Sequence, residues 1–263
     1  MYTLNSNNFN QGISSPLDQF EVRDLLFIDI PILENLHISL TNIGFFLTIG
    51  ALYLIILNIS STNFNKLVSN EWSISQESMY ATIHSLVINQ INPRIGQIYF
   101  PFLYTLFIFI LINNLIGLIP YSFASTSHFV LTFALSFTIV LGVTILGFQK
   151  HGLKFFSLFV PAGCPLALLP LLVMIELISY LARNISLGLR LAANITAGHM
   201  LLSILSGFVY NIMNAGILYM ILALVPLAFI IAFAGLELGI ALIQAQVFVT
   251  LTGAYIKDGL DLH

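Results

Sequence analysis

The sequence predicts an all-α polytopic membrane protein, on the evidence of its composition, its hydropathy and the length of its apolar stretches. Of the 263 residues, 58% are hydrophobic and only 7% are charged, whereas a soluble domain carries about 25% charged residues. The mean hydropathy is +0.97, and several stretches can cross the roughly 30 Å hydrocarbon core of a bilayer. We expect about five membrane helices and one amphipathic surface helix, with the last two membrane helices long, strongly tilted and packed antiparallel as a hairpin.

The charge balance and the cysteine content exclude several classes of protein. Eight basic and eleven acidic residues give a net charge of −3, which does not fit the basic face of a protein that binds nucleic acid. The single cysteine excludes a disulfide framework and a cysteine-based metal cluster. The sequence also lacks a P-loop and a dinucleotide-binding fingerprint. We therefore expect no nucleic acid partner, no cofactor and no metal site.

The N-terminal half is predicted to alternate polar segments with apolar spans. An N-terminal segment over 15–37 precedes the first membrane helix over 38–60, which contains no charged residue. Residues 66–99 carry scattered charges among apolar residues at helical spacing, which is typical of an amphipathic helix at the membrane surface. A hairpin of two membrane helices follows over 100–149, and a connecting loop rich in proline and glycine covers 150–170.

The C-terminal region, 171–263, is predicted to form a long helical hairpin. Two mostly apolar segments, 171–209 and 217–256, are each close to 40 residues long. A helix of 40 residues is about 60 Å long, which is roughly twice the thickness of the bilayer core. These helices must therefore break or lie strongly tilted, and we expect at least one of them to be tilted.

Basic residues near the ends of the spans predict the orientation, since they collect on the inner side of a membrane. With five spans, five basic residues fall on one side of the membrane and one on the other. We therefore expect the N-terminus outside and the C-terminus inside. The outer residue is Arg23, and the inner residues are Lys66, Arg94, Lys150, Lys154 and Lys257.

Polar residues form a pattern on the first long segment. An arginine at the membrane centre costs about 2.5–3.5 kcal/mol, so charges there are expected to pair, to line water or to have a function. Glu176, Arg183 and Arg190 are spaced by seven residues, which places them on one stripe because seven residues complete nearly two helical turns. Asn194 lies near the same stripe, whereas His199 lies on the opposite face from Arg190.

The second long segment carries Glu237 and Gln244, which are also seven residues apart and share a face. If the two segments pack antiparallel, one assumed register groups the polar residues of both. It gives two polar paths interrupted by an arginine. That register pairs Arg190 with Gln244, Glu176 with Asp258, and His199 with Glu237.

The chemistry of these residues indicates proton movement. Carboxylates and histidine can relay a proton, because burial moves their pKa values toward neutrality. Arg190 stays protonated and cannot relay, but it can block direct leakage between the two paths. A proton could then pass only if a group on another protein carried it around the arginine.

Four motifs resemble the subunit a family of F-type ATP synthases. The most specific is ISLGLRLAANITAGH over 185–199, with its core LRLAAN over 189–194. SLFVPAG over 157–163 and IQAQVF over 243–248 also resemble the family, and SPLDQFE over 15–21 is similar to the mitochondrial, fungal-type form. The resemblance covers essentially the whole chain.

The resemblance implies a proton-translocating subunit beside a rotating ring of c subunits. Protons enter one half-channel, ride on ring carboxylates and leave by a second half-channel. Arg190 corresponds to the essential arginine that separates the two and meets the returning carboxylate. The remaining site residues implied are His199 and Glu237 in the outer half-channel, Glu176 and Asp258 in the inner one, and Asn194, Gln244 and Arg183 as supporting polar residues.

The resemblance also implies a location and partners. The protein would be a multi-pass protein of the mitochondrial inner membrane, with its N-terminus in the intermembrane space and its C-terminus in the matrix. Its partners would be the c-ring, other membrane-sector and peripheral-stalk subunits, and the lipid bilayer. ATP chemistry would reside in other subunits, and a leader over 1–14 would be removed.

Several alternatives stay open at this point. Ala193 replaces a glycine common in bacterial members, and the acid and histidine at Glu237 and His199 are exchanged relative to those members. His199 and Glu237 could form an ordinary buried hydrogen bond, and Arg183 could be a structural ion-pair partner of Glu176. The competing functions are an independent proton or cation channel or antiporter, and a structural membrane subunit.

Overall fold

The computed structural model describes residues 15–30, 36–62, 70–91, 96–119, 122–160 and 168–260. Within these ranges, an N-terminal β-hairpin is followed by seven α-helices, and five helical segments are long and apolar enough to cross a membrane. The predicted all-α polytopic fold is therefore confirmed. The helices are α1 (Asn42–Ser61), α2 (Glu71–Ile91), α3 (Gly96–Gly117), α4 (Phe129–His151), α5 (Leu169–Asn214), α6 (Ile217–Leu222) and α7 (Leu224–Leu260).

The β-hairpin consists of β1 (Asp24–Ile30) and β2 (Leu36–Thr41), which pair antiparallel. The sequence pattern does not predict this hairpin, and it predicts a first membrane helix that begins at Ile38. The helix begins four residues later, because strand pairing keeps the backbone extended through Thr41. The Thr41 side chain then accepts a hydrogen bond from the Gly44 backbone N–H at 3.4 Å, which caps the start of α1.

Helix α2 buries one narrow stripe. Ile83, Val87 and Ile91 are buried at intervals of four residues, as expected for one face of an amphipathic helix. They pack against α3 and α7. Helix α3 begins at Gly96, inside the range 66–99 that was assigned to the surface helix. An added Cβ on Gly96 would lie 3.0 Å from the Val87 side chain, so α2 and α3 approach each other closely at this point.

Helix α3 is the most buried of the membrane-length helices, and it contacts α1, α2 and α7. Its buried residues include Leu103, Ile110 and Leu111, which belong to the main hydrophobic cluster. Helix α1 is held much less firmly, because Gly50 is the one buried residue among its twenty. The core therefore lies between α3, α5 and α7, and α1 sits at its edge.

Helices α5 and α7 form the predicted antiparallel hairpin. Helix α5 runs unbroken for 46 residues, about 69 Å, so it cannot stand upright in a bilayer core of about 30 Å. The chain turns after α5 at Gly216, whose φ of +142° favours glycine. Pro226 lies in the first turn of α7, where proline is tolerated because the N–H groups there have no intrahelical partner.

Candidate functional site

Three polar contacts join α5 to α7 at successive levels along the hairpin. Residue numbers rise on one helix as they fall on the other, as an antiparallel arrangement requires. The levels span about 24 Å along α5, at 1.5 Å per residue. We call them the inner, middle and outer levels, after the orientation that the sequence predicts. They are Arg183 with Asp258 at 3.4 Å, Asn194 with Gln244 at 3.1 Å, and His199 with Glu237 at 3.8 Å.

The inner level is an arginine that bridges two carboxylates. Arg183 Nη2 lies 3.5 Å from Glu176 Oε1, and Arg183 Nη1 lies 3.4 Å from Asp258 Oδ2. The three side chains are about 40% exposed. The assumed register placed Glu176 directly against Asp258, but Arg183 lies between them, because it reaches from the α5 stripe across to α7. A cavity of about 150 Å³ adjoins the cluster, and its walls include Tyr180 and Tyr255.

The last turn of α7, which carries Asp258, is held by the end of α4. Lys150 Nζ donates a hydrogen bond of 2.9 Å to the Leu260 carbonyl oxygen, and His151 Nε2 lies 2.8 Å from the same oxygen. Carbonyl groups at a helix C-terminus lack intrahelical donors and carry partial negative charge, so a lysine there is stabilising. Asp258 is thereby positioned by two residues of another helix.

The middle level is a hydrogen bond between two amide side chains. Asn194 Nδ2 donates to Gln244 Oε1, and Gln244 is only 4% exposed. The assumed register placed Arg190 against Gln244, so this level is shifted by four residues, about one helical turn. The shift arises because the two amides pair with each other, whereas Arg190 makes no hydrogen bond to α7.

Arg190 is exposed on the surface of α5. Among the residues that the structure describes, no carboxylate oxygen lies within 4.0 Å of its guanidinium group. Its position contrasts with that of Arg183, which is paired with two acids on the same helix stripe and on α7. An arginine on a membrane-length helix requires water or an anionic partner, and the described part of this chain supplies no carboxylate partner for Arg190.

The outer level places a histidine beside a buried carboxyl group. His199 Nε2 lies 3.8 Å from Glu237 Oε1, and Glu237 is 3% exposed. Gly198 makes room for it, because an added Cβ would lie only 2.6 Å from Glu237 Oε1. A cavity of about 230 Å³ borders Asn194, Gly198 and Glu237. The outer and middle levels therefore share one cavity.

The described part of the chain does not gather the ligands of a metal ion. No group of three or more histidine, cysteine, aspartate or glutamate side chains lies together there. The acids of the inner level are instead bridged by Arg183, a cation that would repel a metal.

Comparison with known proteins identifies the family. The family model described as ATP synthase A chain matches residues 43–257. The chain belongs to the ATP synthase A chain family. The match includes Arg190 and every other residue of the three levels except Asp258, which lies one residue beyond it.

Fungal relatives of the ATP synthase A chain family match the chain over its whole length. The chain is 76% identical to an ATP synthase subunit a of Podospora anserina and 76% identical to one of Neurospora crassa, with 100% of both sequences covered in each comparison. It is 49% identical to an ATP synthase subunit a of Eremothecium gossypii, again with 100% of both sequences covered. These findings confirm the family that the sequence motifs resemble.

A second set of buried polar residues, on α3 and on the turn before α4, was not predicted from the sequence. Asn114 Nδ2 donates to the Ala241 carbonyl oxygen on α7 at 3.4 Å, one turn from Glu237. Ser125 Oγ donates to Asn113 Oδ1, also at 3.4 Å. The available signal was the pair of asparagines inside an otherwise apolar span, since polar residues at membrane depth are rare and functional.

Proposed function

We propose that this member of the family is the proton-translocating stator subunit in the membrane sector of a rotary ATP synthase. It provides two offset aqueous half-channels that lead to the carboxylates of a ring of c subunits. Arg190 separates the half-channels and prevents a proton short-circuit. Proton flow is thereby coupled to rotation of the ring and to ATP synthesis in other subunits.

The observation that carries the proposal is the position of Arg190. It is exposed and unpaired among the described residues, yet it lies between two clusters of groups that can hold protons. Along α5 it is about 10.5 Å from Arg183 and about 13.5 Å from His199. A ring carboxylate that meets this arginine gives up its proton, because the fixed positive charge favours the ionised form.

The two clusters supply the two half-channels. His199 and Glu237 form the outer path, where a carboxyl group and an imidazole at 3.8 Å can pass a proton through a small rotation or one water. Glu176 and Asp258 form the inner path, and Arg183 between them supplies the countercharge. In this proposal the series of proton-holding groups is interrupted at Arg190. A proton therefore crosses only on a carrier from another subunit.

The location and partners follow from the same proposal. The protein is placed in the mitochondrial inner membrane, with its N-terminus in the intermembrane space and its C-terminus in the matrix. The c-ring faces Arg190, and further membrane-sector and peripheral-stalk subunits hold the chain in place. Residues 1–14, proposed as a removed leader, lie outside the described residues. Each proton that crosses the membrane down the potential releases about 2.3 kcal/mol per 100 mV, so several must pass for each ATP.

The test replaces Arg190 within the intact complex. Membranes that carry Arg190→Gln are assayed for ATP-driven proton pumping, and assembly of the complex is quantified by native electrophoresis. We expect pumping to stop while the complex still assembles. Arg23→Gln is the matched control, because it removes an arginine whose 2.8 Å ion pair with Glu21 lies outside the α5–α7 hairpin. Coupled pumping that survives Arg190→Gln contradicts the proposed mechanism.

A second measurement separates the proposal from an independent proton channel or antiporter. The purified chain is placed in liposomes without the c-ring, and proton flux under an imposed potential is recorded. The proposal expects no flux above that of empty liposomes, since the path past Arg190 is incomplete. Sustained flux through the chain alone favours an independent channel.

A further inference from the structure

An aromatic side chain of the N-terminal segment packs on the histidine of the outer level. The ring centroids of Phe20 and His199 are 6.3 Å apart, and the rings meet edge to face at 81°. This separation lies in the range of attractive aromatic pairs. Phe20 is half-buried, whereas Leu17 in the same turn is 57% exposed. Phe20 is therefore the anchor by which this turn contacts α5.

The turn that carries Phe20 is closed by its own hydrogen bonds. The Asp18 N–H donates to the Ser15 carbonyl oxygen at 2.9 Å, and the Phe20 N–H donates to that of Leu17 at 3.0 Å. These bonds form a short helical turn over Asp18–Phe20. These bonds hold the backbone of Phe20 independently of the contact between its ring and α5.

The chain beyond Phe20 is tied to the start of α1. Asn42 Oδ1 accepts a hydrogen bond of 2.7 Å from the Arg23 backbone N–H, and Asn42 Nδ2 donates to the Glu21 carbonyl oxygen at 3.1 Å. Phe20 is thus held between a closed turn and an anchored strand. The turn before Phe20 and the hydrogen bonds of Asn42 after it together hold the ring against His199.

His199 depends on packing for its orientation. Its Nε2 makes no hydrogen bond to a side chain or backbone group among the described residues. The atom lies 3.8 Å from Glu237 Oε1, and a Cβ placed on Gly117 of α3 would lie 3.8 Å from it on another side. Since no described residue hydrogen-bonds this atom, the edge-to-face packing between the Phe20 ring and the imidazole is a contact that restrains its rotation.

We propose that Phe20 is a positioning residue for proton entry, which holds the His199 imidazole with Nε2 directed at Glu237. The inference rests on the proposed outer half-channel of His199 and Glu237. It adds that the N-terminal turn completes this half-channel, so the path is built from four parts of the chain. These parts are α5, α7, the end of α3 and the Asp18–Phe20 turn.

The test compares three substitutions in the assembled complex. Phe20→Leu keeps an apolar side chain without an aromatic edge, Phe20→Tyr keeps the ring, and Leu17→Ala changes an exposed neighbour as the matched control. We expect Phe20→Leu to lower the rate of ATP synthesis per assembled complex by about twofold to tenfold, the range of an aromatic pair. Phe20→Tyr and Leu17→Ala are expected to retain the parent rate.

The outcomes separate this inference from the proposed function. Glu237→Gln is assayed alongside, and it is expected to abolish synthesis if the outer path is correct. If Glu237→Gln stops synthesis while Phe20→Leu keeps the parent rate, the outer path stands and Phe20 has no positioning role. If Phe20→Leu lowers the amount of complex but not the rate per complex, Phe20 is a folding anchor and the inference is wrong. If Glu237→Gln leaves synthesis intact, both the outer path and the inference fall.

Discussion

The side-chain amide of Asn194 donates a hydrogen bond of 3.1 Å to Gln244 Oε1, four residues beyond Arg190 on α5. This bond links α5 to α7 next to the exposed arginine. It lies between the level of Arg183 and the level of His199. The two helices are therefore joined on both sides of Arg190. The bond therefore has a structural role that can be measured apart from proton flow.

The first prediction concerns that bond. Asn194→Leu leaves Gln244, which is 4% exposed, without its donor, and an unpaired buried polar group costs about 1–3 kcal/mol. We expect the membrane complex to dissociate at a lower temperature in a thermal melt. Adding Gln244→Leu is expected to recover most of the loss, since replacing both partners by apolar groups is nearly neutral.

A matched control for this melt is Gln246→Leu, which replaces an exposed glutamine on the same helix. It should leave the dissociation temperature unchanged. A double variant no more stable than Asn194→Leu alone would show that the pair is not the source of the stability.

The second prediction concerns Gly198. In Gly198→Ala the new Cβ would lie 2.6 Å from Glu237 Oε1, so the carboxyl group must move or the helices must separate. Overpacking of this kind costs about 1–3 kcal/mol. We expect ATP-driven pumping to fall because Glu237 is displaced from His199, and we expect Glu237→Asp, with its shorter side chain, to restore part of it.

Gly207→Ala provides the comparison, because an added Cβ there meets no atom of the described residues within 4 Å. That variant should pump like the parent. If Gly198→Ala also does, the tight fit around Glu237 has no bearing on proton flow.

The third prediction concerns the bridging arginine. Arg183→Gln removes the cation between Glu176 and Asp258, but the side chains are about 40% exposed. Each ion pair with this exposure contributes about 0–1 kcal/mol, and Arg183 forms two, so we expect the complex to assemble with a stability loss of at most about 2 kcal/mol. Pumping is expected to fall more than stability does, because two carboxylates then face each other without a countercharge.

Arg23→Gln tests the stability part of this prediction. Arg23 forms an ion pair of 2.8 Å with Glu21, and both side chains are more than 60% exposed. It should change neither stability nor pumping. A loss of assembly in Arg183→Gln would mean that the inner cluster holds the two helices together and is more than a path for protons.

The fourth prediction concerns the clamp on α7. Lys150→Met removes the donor of the 2.9 Å bond to the Leu260 carbonyl oxygen, so the last turn of α7 should fray. Hydrogen exchange followed by mass spectrometry is expected to show faster exchange of the amides in the final turn before Leu260. Lys154→Met replaces an exposed lysine just after the end of α4. It should leave the exchange in the last turn of α7 unchanged.

Much of the hairpin could be predicted from the sequence, because the spacing of its charges follows the geometry of a helix. Glu176 and Arg183, seven residues apart, lie on one stripe and meet at 3.5 Å. The assumed register also brought His199 to Glu237, which the structure places at 3.8 Å. The level of Gln244 differed by one turn, since pairing of amides cannot be read from a pattern of charges. The roles of these residues in proton transfer stay predictions.

The N-terminal hairpin and its contact with His199 could not be predicted in the same way. Residues 25–28 form a short apolar run, and a run of this length is compatible with a strand as well as with the start of a helix. Phe20 and His199 are separated by 179 positions in the sequence, so no local signal connects them. That contact depends on how α1, α3 and α5 assemble.

The length of α5 has a mechanical consequence. The helix is about 69 Å long, and it is fastened to α7 at Arg183 on one side of Arg190 and at Asn194 and His199 on the other. A lateral force on the guanidinium group therefore acts on a stretch of helix that is held on both sides, which bends far less than a stretch held on one side only. In the proposed function, drag from the c-ring at this point is passed into the whole bundle, and Arg190 keeps its place while the ring moves past it.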